Sequence, residues 1–336
     1  MTTNGRTGGG FEVFGTDGVP DHMRGAVVAI GNFDGVHRGH QAVLGHATSI
    51  AAERGLPAYA LTFEPHPRTL FAPDKPIFRL SPRLAKRRLF QAVGLQGCVE
   101  MEFNKELASV EAEAFIVDIL CARLAASHVV VGFDFHFGKG RRGSPAMLAE
   151  TGPRCGFDVT IEQAHGDEGG SVFASSAIRS LLDEGKVEAA DEVLGYHWFV
   201  TGEVVHGEKR GRELGFPTAN IRLAPECGLR HGIYAVLGRF DGRMVPGVAS
   251  FGRRPQFDNG APLLEPYFFD FNEDLYGREI DVVLVSLLRE EARFDSVAAL
   301  VEQMHRDCDR ARDELAGLAL TPIDRFLATT APGGAA

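Results

Sequence analysis

Short apolar runs alternate with segments of helical periodicity through the first half of the chain. Apolar residues recur at helical spacing after position 38 and again between 111 and 124. The β-rich runs predict strands at 26–30, 56–63, 97–101, 128–131 and 157–161. Strands that alternate with helices favour a parallel sheet with helices on both faces, and ligands then bind beyond the carboxyl ends of the strands. The first half is therefore predicted to be a Rossmann-like α/β domain.

The pattern changes from about residue 187, where a short helix at 187–194 is followed by closely spaced strand-like runs. These runs predict strands at 198–206, 233–240, 244–251, 263–271 and 280–287. Asp241-Gly242 between two of them is typical of a β-hairpin turn. Several strands without intervening helices predict a small antiparallel β-barrel. We expect one domain at 11–186 and a second at 187–325.

A final helical pattern is expected to close the second domain. Asp295 or Ser296 is the predicted N-cap. The predicted buried stripe consists of Val297, Leu300, Val301, Met304 and Ala311. The fold class is thus α/β followed by an all-β barrel with a closing C-terminal helix.

Composition narrows the classes of protein that fit. The length of 336 residues is typical of two domains, and a formal net charge of −10 argues against a nucleic-acid surface. Five scattered cysteines without a CxxC motif indicate reduced thiols. No apolar run approaches the roughly 20 residues of a membrane helix, and the N-terminus lacks the apolar core of a secretion signal. We expect a cytoplasmic protein, compatible with a homo-oligomer, that binds small molecules but neither nucleic acid nor membrane.

The segment GNFDGVHRGH at 31–40 carries the first candidate chemistry. It follows a predicted strand and opens a helix, so the N–H groups of the first helical turn suit an anionic ligand. His37 and His40 are three residues apart and share a helix face. Neither a Walker A loop nor a GxGxxG fingerprint is present. A nucleotide phosphate site is favoured, although metal binding and ordinary histidines remain open. The accompanying candidates are Gly31, Asn32, Phe33 and Gly35.

Three later loops contain residues that suit ligand binding. TFEPHP at 62–67 includes His66, and it fits a proline-rigid turn equally well. GFDFHFGKGRRG at 132–143 interleaves aromatic and charged residues, which can stack on a ring system and meet phosphate, or form a solvated basic loop. SSAIR at 175–179 precedes an apolar helix. Its hydroxyls can cap that helix, or they can bind phosphate together with Arg179.

In the second half, the informative segment is HGEKRGRELGFPTANI at 206–221. Its glycines, among them Gly211, allow the backbone to approach phosphates, and Arg212 adds positive charge. A hydroxyl and a side-chain amide, from Thr218 and Asn220, can hold Mg²⁺ beside phosphate oxygens. On residue types alone, a basic hairpin loop that leads into a strand explains the segment as well.

GNFDGVHRGH resembles the HxGH signature of nucleotidylyltransferases. In the form that begins GNFDGVH it is similar to the bacterial bifunctional riboflavin kinase/FMN adenylyltransferases, also called FAD synthetases. The TFxPHP, VVGxDFxFG and SSTxIR segments of that family have counterparts here in the same order. The resemblance implies a nucleotidylyltransferase domain in which ATP phosphates are handled by His37, His40, Ser175, Ser176 and Arg179. We also expect a weaker flavin-binding set of His66, Asp134 and Phe135.

Some positions of the first half depart from the family pattern. The hydroxyl triplet reads Ala174-Ser175-Ser176, so its first serine is lost and its threonine is a serine. A serine keeps the hydroxyl donor, so we expect little damage. His136 stands where the family usually has arginine, which removes a fixed positive charge from that loop near neutral pH.

The second half carries GRELGFPTAN, which is similar to the riboflavin kinase signature GRxLGFPTAN. The resemblance implies that Thr218 and Asn220 bind Mg²⁺ and nucleotide phosphate, and that Glu265 is the base for the riboflavin hydroxyl. Departures from the family pattern are Ser250, Gln256 and the pair Pro266-Tyr267.

Together these resemblances imply two sequential ATP-dependent reactions on flavins, riboflavin to FMN in the barrel and FMN to FAD in the α/β domain. Two alternatives remain open at this point. One is an enzyme with a single active domain, and the other is a flavin-binding sensor without catalysis.

Overall fold

Two compact units make up the chain in the computed structural model. The structure describes residues 10–15, 19–163, 174–207, 214–253 and 262–332. One unit comprises the described residues of Met1–Ile77 and Lys86–Phe173. The other comprises those of Phe78–Ala85 and Ala174–Ala336.

A six-stranded sheet forms the centre of the first unit. Its strands are β1 (Glu12–Phe14), β2 (Val27–Ile30), β3 (Ala58–Glu64), β4 (Gly97–Glu102), β5 (His128–Gly132) and β6 (Asp158–Glu162). All neighbouring strands are parallel, in the order β1-β4-β3-β2-β5-β6. Because β2 lies between β3 and β5, the loop that follows β2 is flanked by the loops that follow those two strands.

Helices cover both faces of this sheet. They are α1 (Arg38–Arg54), α2 (Pro67–Phe71), α3 (Arg83–Ala92), α4 (Lys105–Ser109), α5 (Ala112–Ala114) and α6 (Pro145–Thr151). α1 packs against β2, β3 and β5. Val28 and Ile30 share a hydrophobic cluster with Ile116, while Val27 and Ala29, which point to the opposite face, are buried as well. The predicted α/β layers are confirmed.

The predicted helix at 111–124 differs in its hydrogen bonding. α5 continues directly into a π-helix, Phe115–Arg123. Phe115, Ile116, Ile119 and Leu120 are buried, so the apolar residues face the core in the wider helix as well. The sequence pattern therefore predicted the helix but not the width of its turns.

The second unit contains a closed antiparallel barrel. Its strands are β7 (Phe199–Val205), β8 (Asn220–Arg222), β9 (Gly232–Phe240), β10 (Arg243–Arg253), β11 (Pro262–Phe268) and β12 (Glu279–Arg289). The order around the barrel is β10-β11-β8-β7-β12-β9. Asp241 and Gly242 join β9 to β10 with φ values of 52° and 69°, as the predicted hairpin turn requires. The predicted barrel is confirmed, with the short β8 as an additional strand.

In the described part of the second unit, the helices are α7 (Ser175–Asp183), α8 (Val187–Leu194), α9 (Val297–Ala316) and α10 (Pro322–Ala328). α9 packs on β9, β10 and β12, and the Ser296 hydroxyl caps it by accepting a hydrogen bond from Ala299 N at 3.1 Å. The prediction that Val297 is buried is wrong, because its residue is 62% exposed. The buried residues of α9 are Asp307, Cys308 and Ala311, so the helix meets the barrel mainly through its second half.

Candidate active sites

His37 and His40 lie at the junction between the β2 loop and α1. His37 is the N-cap of α1, and its Nδ1 accepts a hydrogen bond from His40 N at 3.4 Å. The two imidazole rings stack with their centroids 3.6 Å apart and their planes 21° apart. The helix N-terminus and both imidazoles are thus concentrated at the carboxyl end of an interior strand, where parallel sheets bind ligands.

The loop that carries these histidines adopts an unusual backbone conformation. Phe33, Gly35 and Val36 have φ values of 50°, 85° and 39°, in the left-handed region that side chains other than glycine rarely adopt. Phe33 is buried, and its ring meets the edges of His40 and Phe90 with centroids 5.3 and 5.6 Å apart. Such backbone strain persists where packing over-determines it and is concentrated at functional sites.

The electrostatic environment keeps the His40 imidazole neutral. Burial, the neighbouring His37 and the Lys86 ammonium, in that order, hold the pKa of His40 well below its usual 6.5. Its Nδ1 is buried and has no hydrogen-bond partner within the described part of the chain. A neutral imidazole with one nitrogen to spare can exchange a hydrogen bond with a ligand without adding a charge.

The SSAIR segment forms the first turns of α7. Ala174 is the N-cap, and no side chain caps the helix, so Ser175 and Ser176 do not serve the capping role that the sequence left open. Arg179 donates from Nε to the Phe78 carbonyl at 2.6 Å, which orients its guanidinium. By its contacts α7 belongs to the second unit.

The three residues expected to contact flavin have different surroundings. His66 caps α2, because its Nδ1 accepts a hydrogen bond from Arg68 N at 3.2 Å. Phe135 stacks on Phe137, which is buried in the core, with centroids 5.5 Å apart. Asp134 is exposed. The Phe-rich loop therefore directs part of its aromatic surface inward.

Two other aromatic rings are exposed on segments that follow strands of the sheet. Phe133 belongs to the Phe-rich loop that the sequence singled out, whereas Phe71 was not a sequence candidate. Phe133 follows β5 and is 45% exposed, and Phe71 ends α2 after β3 and is 70% exposed. The segments that follow β3 and β5, the two neighbours of β2 in the sheet, thus each expose one aromatic ring. These two rings are exposed whereas Phe137 is buried, and the periodicity of the sequence does not predict that difference.

In the barrel, Asn220 and Glu265 occupy facing positions. Leu264 of β11 pairs with Ile221 of β8, so Glu265 and Asn220, the adjoining residues of the two antiparallel strands, lie opposite each other. Ile221 and Leu264 are fully buried in the barrel interior. Because side chains alternate along a strand, Asn220 and Glu265 project from the outer face.

The same row continues onto β10, where Ser250 pairs with Glu265. Opposite residues of antiparallel strands project from the same face. Asn220, Glu265 and Ser250 thus form one polar row across three adjacent strands, although 45 residues of sequence separate the first two. Ser250 is one of the departures noted in the sequence.

Asn220 is held in a fixed position. Its side chain is buried, and Nδ2 lies 3.5 Å from the Thr218 carbonyl. Gly207 packs on the amide so closely that a Cβ there would lie 2.5 to 2.6 Å from its atoms. The hydroxyl of Thr218 and the amide oxygen of Asn220 are neutral oxygen donors, which fit Mg²⁺ when nucleotide phosphates supply further ligands. No group of three or more His, Cys, Asp or Glu residues suited to a metal occurs in the described ranges.

An aromatic cluster adjoins the polar row. Tyr267, two residues after Glu265 on the same face, lies 5.3 Å from the Phe216 ring, and Phe216 lies 5.1 Å from the ring of His305 on α9. Tyr267 is one of the departures from the expected pattern, and here it supplies an aromatic surface. The polar row thus has an apolar wall on one side.

Comparison with known proteins identifies the family. A model described as FAD synthetase matches residues 19–177, and one described as riboflavin kinase matches residues 194–315. A bifunctional riboflavin kinase/FMN adenylyltransferase of Escherichia coli K12 is 40% identical over 87% of this chain and 93% of its own. The chain belongs to the bifunctional riboflavin kinase/FMN adenylyltransferase family. A Bacillus subtilis member is 35% identical over 87% of this chain and 93% of its own.

One solved structure extends the likeness to the whole fold. A crystal structure described as a macrolide-efflux protein from Streptococcus pneumoniae has a TM-score of 0.80 and 28% identity, covering 90% of this chain and 99% of that chain. Within the described part of the chain, no helix combines the length and apolar character needed to cross a membrane. All five cysteines are free thiols.

The two family matches contain most of the candidate residues. The riboflavin kinase match includes Thr218, Asn220 and Glu265, whereas the FAD synthetase match ends at 177, before Arg179. Gly211, Arg212 and Gln256 lie outside the described residues. The predicted domain boundary between 186 and 187 stays a prediction.

Sequence reasoning also missed the residues beneath the β2 loop. Lys86 is fully buried and pairs with Glu64, with Nζ and Oε1 2.6 Å apart. In the sequence it begins the basic run Lys86-Arg87-Arg88, which is typical of a solvated helix face. The amphipathic spacing of apolar residues along α3 is the sequence signal that could have predicted the burial of Lys86.

Proposed function

We propose that this chain makes FAD from riboflavin in two ATP-dependent steps, as the names of its relatives describe. The two family matches on one chain, at residues 19–177 and 194–315, carry this proposal. Riboflavin is phosphorylated on its 5′-hydroxyl in the barrel unit. FMN is then adenylylated at the α/β unit, with release of pyrophosphate.

For adenylylation, an FMN phosphate oxygen attacks the α-phosphorus of ATP. A phosphorus–oxygen bond forms to FMN, and the bond to the pyrophosphate leaving group breaks. The N-terminus of α1, together with His37 and the neutral His40, donates hydrogen bonds to the phosphate oxygens, on which negative charge is redistributed in the transition state. By resemblance alone, we assign Ser175, Ser176 and Arg179 to ATP phosphates. Gly31, Asn32, Phe33 and Gly35 shape the loop that receives them.

For phosphorylation, Glu265 accepts the proton of the riboflavin 5′-hydroxyl as the hydroxyl oxygen attacks the γ-phosphorus of ATP. The bond between that phosphorus and the ADP leaving group breaks. Asn220 lies opposite this carboxylate in the barrel register, within reach of the same phosphates. Thr218 and Asn220 would hold Mg²⁺, which when bound neutralises charge on the bridging phosphate oxygens. We assign Gly211 and Arg212 to the nucleotide by resemblance alone.

The flavin ring of FMN is proposed to lie against the exposed Phe133 and Phe71, which flank the histidine loop. Phe135 supports this surface from beneath, because it stacks on the buried Phe137. His66 and Asp134 lie in the same flanking loops and stay the polar candidates for flavin contact. Stacking on an aromatic face suits a planar ring system.

Finer features of the proposal rest on composition. The formal net charge of −10 supports a chain that binds no nucleic acid. Five free thiols support a cytoplasmic location. We propose 11–186 as the adenylyltransferase domain and 187–325 as the kinase domain, with homo-oligomerisation to be tested by light scattering.

Product analysis tests the proposal. The chain is incubated with ATP and MgCl₂ and either riboflavin or FMN, and flavins are separated by chromatography. We expect FMN followed by FAD from riboflavin, and FAD alone from FMN. If the chain forms FAD from FMN but no FMN from riboflavin, only the adenylyltransferase domain is active. Tight flavin binding without ATP consumption contradicts catalysis in both units.

A further inference from the structure

Lys86 is a fully buried ammonium beneath the histidine loop. Its Nζ lies 2.6 Å from Glu64 Oε1, 3.1 Å from Thr62 Oγ1 and 3.4 Å from the Asn32 carbonyl. An ammonium group has three N–H donors, so these three acceptors match its capacity. Thr62 in turn donates from Oγ1 to the same Asn32 carbonyl at 3.2 Å.

These contacts connect three parts of the first unit. Thr62 and Glu64 belong to the end of β3, Lys86 belongs to α3, and Asn32 belongs to the loop between β2 and α1. Asn32 immediately precedes Phe33, whose backbone has a positive φ and whose ring contacts His40. The position of the Asn32 carbonyl therefore determines where the strained loop begins.

A buried ion pair of this kind adds little stability by itself. Removing two charges from water costs several kcal/mol, and apolar residues of similar volume often stabilise a fold equally well. An ion pair below a phosphate site has another consequence, because it fixes the geometry of the loop above it. A displacement of about 1 Å at a reacting centre can cost on the order of 10²-fold in rate.

We propose that Lys86 is a positioning residue for adenylyl transfer, which holds the His37–His40 loop through the Asn32 carbonyl. This inference rests on the proposed role of His40. Lys86 does not touch the reacting atoms. It acts through the loop backbone and through its positive charge.

The charge of Lys86 also acts on His40. The groups that face the His40 imidazole are His37 from the same helix, the ring of Phe33 from the loop, and Lys86 from α3. Burial contributes most to the lowered pKa of His40, followed by His37 and then Lys86. Loss of the ammonium therefore raises the pKa of His40 towards its ordinary value.

The test uses a paired substitution in the full chain. Lys86→Met alone would leave the largely buried Glu64 carboxylate without its ammonium partner, so Lys86→Met/Glu64→Gln is the main variant. Lys86→Arg keeps the positive charge. Lys105→Met, which changes an exposed lysine of the same unit, is the matched control.

Three measurements are made on each variant. They are FMN adenylylation against pH, the titration of His40 by histidine NMR, and riboflavin phosphorylation by the same chain. For the paired variant we expect adenylylation to fall by roughly 10²-fold and His40 to titrate at higher pH, with phosphorylation unchanged. Lys86→Arg should restore the His40 titration at least in part, and Lys105→Met should resemble the parent protein.

Adenylylation at the parent rate with an unchanged His40 titration would overturn the inference. If the paired variant also loses phosphorylation, Thr62→Val decides, because it removes the hydroxyl link to Asn32 at nearly constant volume. Reduced adenylylation with retained phosphorylation in Thr62→Val supports the inference. Because Lys86 also reaches the Asn32 carbonyl directly, full activity of Thr62→Val leaves the decision to the His40 titration of the paired variant, and an unchanged titration refutes the inference. His40→Ala separates the two ideas, because FAD formation by that variant at the parent rate would contradict the proposed role of His40. Absence of FAD formation by the parent protein would contradict the proposed function itself.

Discussion

The imidazole ring of His37 lies against that of His40, with centroids 3.6 Å apart. Two protonated rings at this separation would repel each other strongly, so their proton uptake is coupled. As the N-cap of α1, His37 also accepts a hydrogen bond from the His40 backbone N–H, which fixes the rings at the N-terminus of that helix. The pair therefore presents imidazole and backbone N–H donors to one place, and a phosphate chain fits that combination.

Replacing His40 by alanine should separate the two activities. His40→Ala removes the imidazole that we propose as a donor to the transferring adenylyl group, and we expect FAD formation from FMN to fall roughly 10²- to 10³-fold. FMN formation from riboflavin should be unchanged, because Asn220 and Glu265 belong to the other unit. Both rates are measured by chromatography on the same preparation.

His46→Ala is the matched control, since His46 is an exposed histidine of the same helix. It should retain both activities. Equal loss of both activities in His40→Ala would contradict separate sites.

The lowered pKa of His40 has a consequence for stability. Between the folded-state pKa and the ordinary 6.5, the unfolded chain binds a proton that the folded chain does not. The free energy of unfolding is therefore fully present above pH 6.5 and falls as pH decreases, by up to about 1.4 kcal/mol per pH unit. His40→Gln should make this dependence weaker in urea unfolding at pH 7.5 and 5.5.

Some dependence on pH should remain in that variant. The pKa of His128 is lowered as well, by burial first and by Arg54 second, and it contributes with the same sign. Identical pH dependence in His40→Gln and the parent protein would show that His40 is protonated in the folded state.

A methyl group at position 207 should impair the kinase without removing any functional group. A Cβ on Gly207 would lie 2.5 to 2.6 Å from the amide of Asn220, and Gly207 does not have a positive φ that would demand glycine. Gly207→Ala should therefore displace Asn220 and lower the rate of riboflavin phosphorylation by between about tenfold and roughly 10²-fold. The upper figure is the loss expected when a reacting group is misplaced by about 1 Å. FAD formation from FMN should persist.

Gly317→Ala is the control for this substitution, because no atom lies within 4 Å of the added Cβ. It should leave both activities intact. Parent-like phosphorylation by Gly207→Ala would mean that the position of Asn220 does not limit the reaction.

Changing Glu265 to glutamine preserves shape and removes the base. Glu265→Gln should reduce the rate of riboflavin phosphorylation by roughly 10²- to 10⁴-fold, with a smaller effect on riboflavin binding. Initial rates and flavin fluorescence titration measure the two quantities. Glu279→Gln, an exposed carboxylate of β12, is the control and should behave like the parent protein. If Glu265→Gln phosphorylates riboflavin at the parent rate, Glu265 is not the base and another group accepts the proton.

Mg²⁺ should bind with nucleotide rather than before it. The described residues contain no cluster of three carboxylate, histidine or cysteine ligands, and Thr218 and Asn220 supply neutral oxygens only. Calorimetry should therefore detect no tight binding of MgCl₂ alone, but clear binding of MgCl₂ together with a non-hydrolysable ATP analogue. EDTA should abolish phosphorylation, and excess MgCl₂ should restore it. Tight binding of MgCl₂ alone would contradict this prediction, because it would show that protein side chains supply enough ligands without the nucleotide.

Much of the architecture follows from local sequence. Helical and alternating periodicities predicted five of the six sheet strands, all except β1, together with the helices α1 and α8 and most of the barrel, since these patterns reflect which face of an element is buried. Asp241-Gly242 predicted its hairpin because few residue pairs tolerate two positive φ values. The HxGH and PTAN segments likewise identified both candidate sites, since each is a contiguous stretch of residues.

Tertiary structure decided the features that join distant residues. β8 has only three residues, yet its position beside β11 places Asn220 opposite Glu265. Lys86 looked like part of a solvated basic face, but the fold buries it against Glu64 and the Asn32 carbonyl. Strand register and buried ion pairs arise from contacts between segments far apart in sequence, and a local pattern contains no information about which segments meet.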